Sequence, residues 1–440
     1  VTAGGTGYDV VVVGAGSAGA ALAGRLSEDP SLRVLLLEAG GSDRVLEVQI
    51  PAALYKVWRT RRDWNYATDE QPGLGGRRLF WPRGKVLGGS SSINAMIYIR
   101  GARADYDEWA RLTGDPTWSY EHVLPLFRRM EDNARGADEW HGVGGPLRVE
   151  DLRSPHPWTT AVVESAVAAG YPRNDDFNGA TQEGVGQYQV TQRRGRRWSA
   201  ADAYLHPAAS RPNLTVLTGA LATRVLVSGG RATGVEYRRN GALHTVRATS
   251  EVVLSGGAVN SPQLLMLSGI GPADHLREVG VDVVHDLPGV GAGLQDHPLV
   301  PVVFDVRSGA EAVPGGVAVG LREVVRRAPR SADLQPRRGR AVHPVLPRAG
   351  RARPAVPLPP GEVLEAGRGR PGRRRLHRRG RAGRRALARF GAAALGRPDV
   401  GAVDRRRLPD RPPGPRRAGL RRGEGPRDRR GRTAGVGAGR

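Results

Sequence analysis

An apolar run followed at once by three spaced glycines constrains this chain more than any other feature. Val10, Val11, Val12 and Val13 show none of the alternation of a half-exposed strand, so they read as a strand of a parallel sheet covered on both faces. Gly14-Ala15-Gly16-Ser17-Ala18-Gly19 comes next, and a helical pattern over residues 17–28 places Ala20, Leu22, Ala23 and Leu26 inward. A second buried strand is expected at residues 33–37, which completes a βαβ unit. In the G-x-G-x-x-G spacing, Gly14 permits the tight turn. Gly16 lets the backbone approach a pyrophosphate, and Gly19 lets helix and sheet pack closely. The helix start at Ser17 and Ala18 offers N–H groups and a partial positive charge to phosphates. Glu38, followed by Ala39, closes the second strand. A carboxylate there can accept hydrogen bonds from ribose hydroxyls and repels a 2′-phosphate, which argues against NADP. Strand, glycines, helix, strand and acid in this order predict a dinucleotide site, and the fingerprint alone does not separate FAD from NAD.

Beyond this unit, residues 40–87 read as a long irregular stretch rich in Gly, Arg and Trp. Helices are expected near residues 104–112, 120–132 and 158–169, and strands near 186–191 and 214–218. Residues 222–228 and 232–238 flank Gly229-Gly230, a hairpin signal. A short strand at 251–254 and a helix at 260–267, with Pro262 in its first turn, follow.

Three later segments carry a family resemblance. Residues 84–96, GKVLGGSSSINAM, resemble the first signature of the glucose–methanol–choline oxidoreductases, and residues 257–271, GAVNSPQLLMLSGIG, resemble the second. PGVG at 288–291 and LQDHP at 294–298 resemble the segment that follows it, and RWSAADAYL at 197–205 fits the bacterial choline-dehydrogenase-like branch. The resemblance spans roughly residues 7–305. It implies a flavoprotein in which FAD takes a hydride from an alcohol carbon while a base removes the hydroxyl proton. It further implies that Val86 and the stretch Asn94, Ala95, Met96 and Ile97 lie beside the flavin and ribityl chain, and that Val225 holds the adenine through its backbone. Gly88 and Gly89 with Ser90 and its two following serines offer a compact backbone with donors and no bulk, which suits close approach to a cofactor. Read without the family, the same residues are a glycine turn with capping serines. Some family members attach FAD to a histidine in the first signature. The matching residue here is Ile93, which cannot form that bond, so noncovalent FAD is expected.

The resemblance stops short of the chain's end. The family's proton-accepting histidine, with its His or Asn partner, lies near the C-terminus, where a base must reach the hydroxyl proton. Beyond residue 305 the histidines are His343 and His377, neither in family-like surroundings, so no catalytic residue is assigned. His297 matches a family position that is not the catalytic one and reads as structural. Composition changes in the same region. Residues 1–320 hold 32 Lys+Arg against 34 Asp+Glu, whereas residues 321–440 hold 35 basic residues, all Arg, against 9 acidic ones. Phe390 is the last stretch's sole aromatic. A genuine basic extension could bind nucleic acid through phosphates. The absence of Lys, of aromatic interleaving and of any known module argues against that, and a reading-frame shift in a GC-rich gene, with its break between Ser308 and Pro336, is the preferred explanation.

The sequence therefore predicts an α/β, Rossmann-like FAD-binding domain over residues 1–305, with part of an incomplete α+β substrate domain inserted at about 150–215. An Arg/Pro/Gly/Ala-rich tail at 306–440, disordered or not native-like, completes it. The expected function is oxidation of a small-molecule alcohol by an FAD-dependent dehydrogenase or oxidase. The alternatives are an inactive FAD-binding fragment and, ranked last, a flavin-binding protein with a nucleic-acid-binding tail. The chain has no cysteine, hence no disulfide or thiolate metal site, and no apolar run of membrane-spanning length, so a cytoplasmic protein is expected. No metal site is expected: His141 and His156 show no acidic or His partner at ligand spacing. Arg193, Arg194, Arg196 and Arg197 read as a solvated basic loop, and Trp58, Trp64 and Trp81 as packing anchors left unassigned. The sequence names no electron acceptor and no oligomeric state.

Overall fold

A computed structural model describes residues 7–297 together with Leu299 and Val302. The tail expected at 306–440, with His343 and His377, lies outside the described residues.

The predicted βαβ unit is present as β1 (Tyr8–Val13), α1 (Ser17–Leu26) and β2 (Val34–Glu38). The chain then runs through α2 (Arg103–Thr113), α3 (Tyr120–Met130) and α4 (Pro157–Ala168). It returns to the sheet as β3 (Leu214–Thr218), β4 (Leu221–Ser228), β5 (Arg231–Arg239) and β6 (Ala242–Leu254), before α5 (Gly257–Leu267). Six strands form one sheet in the order β3-β2-β1-β6-β5-β4. β3, β2, β1 and the second half of β6 are parallel, while β4, β5 and the first half of β6 are antiparallel.

This topology explains the valine run. Val10 and Val12 face one apolar cluster with Ala20 and Ala23 of α1 and Ala200, Ala201 and Leu205 from the later chain. Val11 and Val13 face another, with Val225, Val235 and Leu264. Both faces of β1 are covered, so no alternation survives in the sequence.

Three elements differ from expectation. β6 begins at Ala242 and not near residue 251, because its first half, HTVRAT, is largely exposed hairpin ribbon and carries no apolar period. α5 begins at Gly257, so Pro262 lies inside the helix. The stretch expected at 186–191 is strand only at Gln189–Val190, where it pairs with Ile97–Tyr98. The hairpin turn is as expected: Gly229 and Gly230 both have positive φ, 57° and 75°, the geometry a two-residue turn demands. Residues 40–87 are irregular but built, with Tyr66–Ala67 paired to Phe80–Trp81 and Gly41 bridged to Val86.

Candidate functional site

The turn from β1 to α1 is closed by its neighbours. Gly14 has φ +97°, and a Cβ there would stand 2.6 Å from the Ser255 carbonyl oxygen at the end of β6. A Cβ on Gly19 would overlap the Gly14 carbonyl oxygen, so the missing side chain lets α1 settle on the turn. Gly16 is different. Its φ is an ordinary −71°, and the nearest atom to a Cβ built on it is the Gly89 Cα at 3.9 Å. The described residues thus do not require a glycine at 16, where a Cβ would make only an ordinary contact with Gly89. α1 has no acidic residue in its first turn and no side-chain cap, and Ser17 and Ala18 are exposed at its start. Its first N–H groups are therefore presented outward to an anion.

Glu38 is buried. Its Oε2 accepts from the Ala15 N–H at 2.9 Å and its Oε1 from the Gly40 N–H at 2.8 Å. Burial pushes its carboxyl above the usual range, while the Gly40 and Ala15 amides and the Lys85 charge pull it back. Lys85 is shifted down by burial, with Glu38 opposing, and its ammonium lies 4.3 Å from the Trp64 ring centroid. Ala39 beside Glu38 is half-buried.

The glycine-serine stretch docks on this turn. The Gly88 N–H donates to the Ala15 carbonyl at 2.8 Å, and Gly88 and Gly89 take φ +83° and +54°. The serines serve the turn: Ser91 and Ser92 hydroxyls donate to the Gly88 and Leu87 carbonyls at 2.6 Å, and Ser90 Oγ accepts from the Gly84 N–H at 3.1 Å. Val86 is fully buried with Val48, Val57 and Ile93, and the Trp58 indole N–H donates to the Ile93 carbonyl at 3.1 Å. Asn94 is exposed, Ala95 and Ile97 are half-buried and Met96 is buried with φ +64°. The structure thus brings Gly14, Gly16, Ser17, Ala18, Gly19, Glu38, Gly89 and the surrounding loop into one neighbourhood. Val225 sits in the core cluster beside α5, with its N–H donated to Ser268 Oγ at 2.8 Å, so an adenine contact through that N–H competes with Ser268.

Two readings of individual residues change. Arg193, Arg194 and Arg196 are exposed, but Arg197 is 3% exposed and bonded to the glycine-serine loop. His141 does meet acids: Nε2 lies 2.9 Å from Asp176 Oδ2 and Nδ1 lies 3.0 Å from Glu131 Oε1, with Arg100 Nη2 donating to Glu131 at 2.7 Å. These partners are remote in sequence, so spacing could not reveal them. Burial alone would lower the His141 pKa, but the Asp176 and Glu131 hydrogen bonds and charges raise it to about 9. Among the described residues, Asp43, Asp202 and His206 also bring three possible ligand atoms within 4.8 Å of one another. His206 Nε2 already lies 2.9 Å from Asp43 Oδ2, and the Arg44 guanidinium stands 3.5 Å from its other ring nitrogen, an arrangement that serves a hydrogen-bonded ion pair better than a divalent cation. Trp81 bonds Asp296 through its indole N–H at 2.9 Å, and His297 is exposed. A separate cavity of about 320 Å³, lined by Arg135, Leu152, Thr160, Val163, Arg173 and Tyr188 among others, shares no residue with the predicted cofactor set.

A family model described as GMC oxidoreductase matches residues 8–299. The chain is 54% identical over 298 residues to the mitochondrial choline dehydrogenase of Homo sapiens, covering 66% of this chain and 50% of that protein. It is 49% identical over 290 residues to the oxygen-dependent choline dehydrogenase of Sinorhizobium fredii, covering 66% and 52%. Among solved structures, pyridoxine 4-oxidase from Mesorbium loti matches with a TM-score of 0.62 and 40% identity, covering 64% of this chain and 55% of that one. A formate oxidase matches with a TM-score of 0.66 and 28% identity, covering 73% and 59%. The chain spans about half the length of the curated relatives it matches.

Proposed function

Because the chain belongs to the GMC oxidoreductase family, whose FAD-binding fold its described residues carry, we propose that it binds FAD noncovalently and oxidises the CH–OH group of a small-molecule alcohol. The observation that carries the cofactor half is that Gly16 lacks a side chain although neither its backbone nor its one 3.9 Å neighbour, Gly89, requires a glycine, and that it lies at the exposed start of α1 with Glu38 at the end of the neighbouring strand. Gly14, Gly16, Ser17, Ala18 and Gly19 would hold the pyrophosphate, Glu38 and Ala39 the ribose, and Val225 the adenine. Val86, Gly89, Ser90, Asn94, Ala95, Met96 and Ile97 would border the flavin and ribityl chain. Bound FAD supplies the two-electron acceptor that alcohol oxidation requires. The protein's part is to fix the cofactor against a rigid turn and to keep the ring's surroundings ordered. Ile93 is buried in the core and is no nucleophile, which supports noncovalent binding.

The likeness to proteins named choline dehydrogenase supports alcohol oxidation over a cofactor-binding fragment without turnover and over a nucleic-acid-binding flavoprotein, and makes choline the first alcohol to try. The full chain mixed with FAD should turn yellow, release all its flavin into the supernatant on acid precipitation, and bleach anaerobically with choline or another alcohol. No flavin absorbance overturns the cofactor reading. Yellow protein that no alcohol bleaches overturns the oxidation reading.

The domain division is part of the proposal: residues 1–305 as the FAD-binding domain with substrate-domain sequence at about 150–215, and 306–440 as frame-shifted sequence. It is supported by the family match ending at residue 299 and by the Arg-rich composition that follows. Sequencing the gene across the codons for residues 300–340 tests it, and the lack of a family-like continuation in every frame overturns it. No helix among the described residues is long and apolar enough to cross a membrane. A cytoplasmic location is our reading of the sequence, and recovery in a membrane or organelle fraction would overturn it.

A further inference from the structure

Arg197 is a buried cation with no ion pair among the described residues. Its Nε donates to the Val48 carbonyl at 2.9 Å, and its Nη1 to the Ser91 carbonyl at 3.0 Å and to Asn94 Oδ1 at 2.8 Å. Its Nη2 is buried without any hydrogen-bond partner. Burial pulls its pKa down to about 10, still far above neutrality, with the Asp202 charge opposing the shift. A guanidinium solvated only by neutral oxygens keeps a largely uncompensated charge in its surroundings.

The atoms it grips belong to the loop assigned to the flavin. Asn94 Oδ1 accepts from Arg197 and also from the Met96 N–H at 3.0 Å. Met96 is a non-glycine residue at φ +64°, a conformation that persists only where neighbours hold it. The holders flank the hairpin in which Gln192–Arg193 pairs with Arg196–Arg197: the Thr191 N–H donates to the Met96 carbonyl at 2.8 Å, and the Ala200 N–H donates to Ser91 Oγ at 3.0 Å. Residues 191–200 therefore brace residues 91–96 from behind, and Arg197 is the brace's charged member.

We infer that Arg197 is a positioning residue for the flavin, gripping Asn94 and Ser91 so that the left-handed Met96 turn keeps its place at the ring, and that its unpaired charge makes the bound flavin easier to reduce. The inference rests on the FAD-site reading above.

The test uses the full chain loaded with FAD and titrated with sulfite, which adds more tightly to electron-poor flavin, alongside the flavin midpoint potential and visible circular dichroism. R197M is expected to weaken sulfite binding at least tenfold and to lower the two-electron potential by about 30 mV, the equivalent of tenfold. R197K keeps the charge and loses the fork, so it is expected to recover most of the sulfite affinity while its flavin dichroism stays altered. If R197M does not fold, N94S at the exposed end of the grip provides the dichroism test, and R197Q, which removes the charge but keeps a polar side chain, the charge test. Variants that lose thermal stability or FAD affinity but keep wild-type sulfite affinity, potential and dichroism overturn the inference, leaving Arg197 a packing residue. A wild-type chain that takes no FAD overturns the cofactor reading itself, a result distinct from unaffected variants of a yellow protein.

Discussion

Gly16 and Gly89 lie so close that a methyl group placed on Gly89 would stand 2.6 Å from the Gly16 Cα. The fingerprint and the glycine-serine signature are thus one piece of structure, although they are distant in the chain. Gly89 also has φ +54°, so G89A suffers both a collision and a left-handed backbone penalty. A loss of about 2–3 kcal/mol or more in denaturant unfolding is expected, with loss of FAD.

G16A separates cofactor binding from folding. A Cβ at Gly16 meets only the Gly89 Cα at an ordinary 3.9 Å. The variant should unfold within about 1 kcal/mol of wild type and bind FAD on the order of 100-fold more weakly, equivalent to about 2.7 kcal/mol. G19A is the control, since its Cβ overlaps the Gly14 carbonyl and should destabilise the fold itself. Equal FAD affinity in G16A and wild type would remove the pyrophosphate from this position.

If Glu38 holds the ribose as proposed, it sets an acid limit on cofactor retention. Its folded pKa is raised by burial, so it takes up a proton at a higher pH than an exposed glutamate, whose pKa is about 4.3. Because the fold penalises its ionised form, protonating it costs the empty protein nothing from this group. FAD should therefore leave on acidification before the far-UV dichroism changes. E38Q places an amide N–H against one of the two N–H donors now facing the carboxylate, and should weaken FAD by roughly 10–100-fold at neutral pH, in line with about 1–3 kcal/mol for an unmatched buried donor. Simultaneous flavin release and unfolding in wild type would contradict this account.

His141 gives the protein an alkaline weakness. Its pKa rises from 6.5 to about 9 on folding, so the stability it contributes is complete below pH 6.5 and disappears as pH climbs through 9. About 2–3 kcal/mol is at stake for a side chain this buried. Urea unfolding from pH 6 to 10 should show that decline, and H141Q should flatten it while being less stable at pH 6.

The βαβ unit was legible because its constraints are local. Gly14, Gly16, Gly19 and Glu38 fall within one βαβ unit, and the buried valines announce a covered strand. The hairpin at Gly229-Gly230 was readable for the same reason. The first half of β6 was not, since only Val246 and Ala248 of that ribbon touch the core and two residues make too short an apolar period. Arg197 and His141 were misread through their sequence neighbours. Arg197 sits among exposed arginines yet reaches Ser91 and Asn94, and His141 meets Glu131, ten residues before it, and Asp176, thirty-five residues after it. Such long-range partners leave no spacing to detect.

The sheet order carries a timing consequence. β1 is flanked by β2 on one side and by the second half of β6 on the other, and β2 in turn waits for β3. At roughly 5–20 residues per second, translation separates Val13 from Leu254 by about ten to fifty seconds. For that interval the strand that carries Val10 to Val13 is outside the ribosome with one edge unpaired. The turn proposed to hold the cofactor is therefore completed only once the chain as far as Leu254 has been made, and the yield of folded protein should depend on what shields those valines meanwhile.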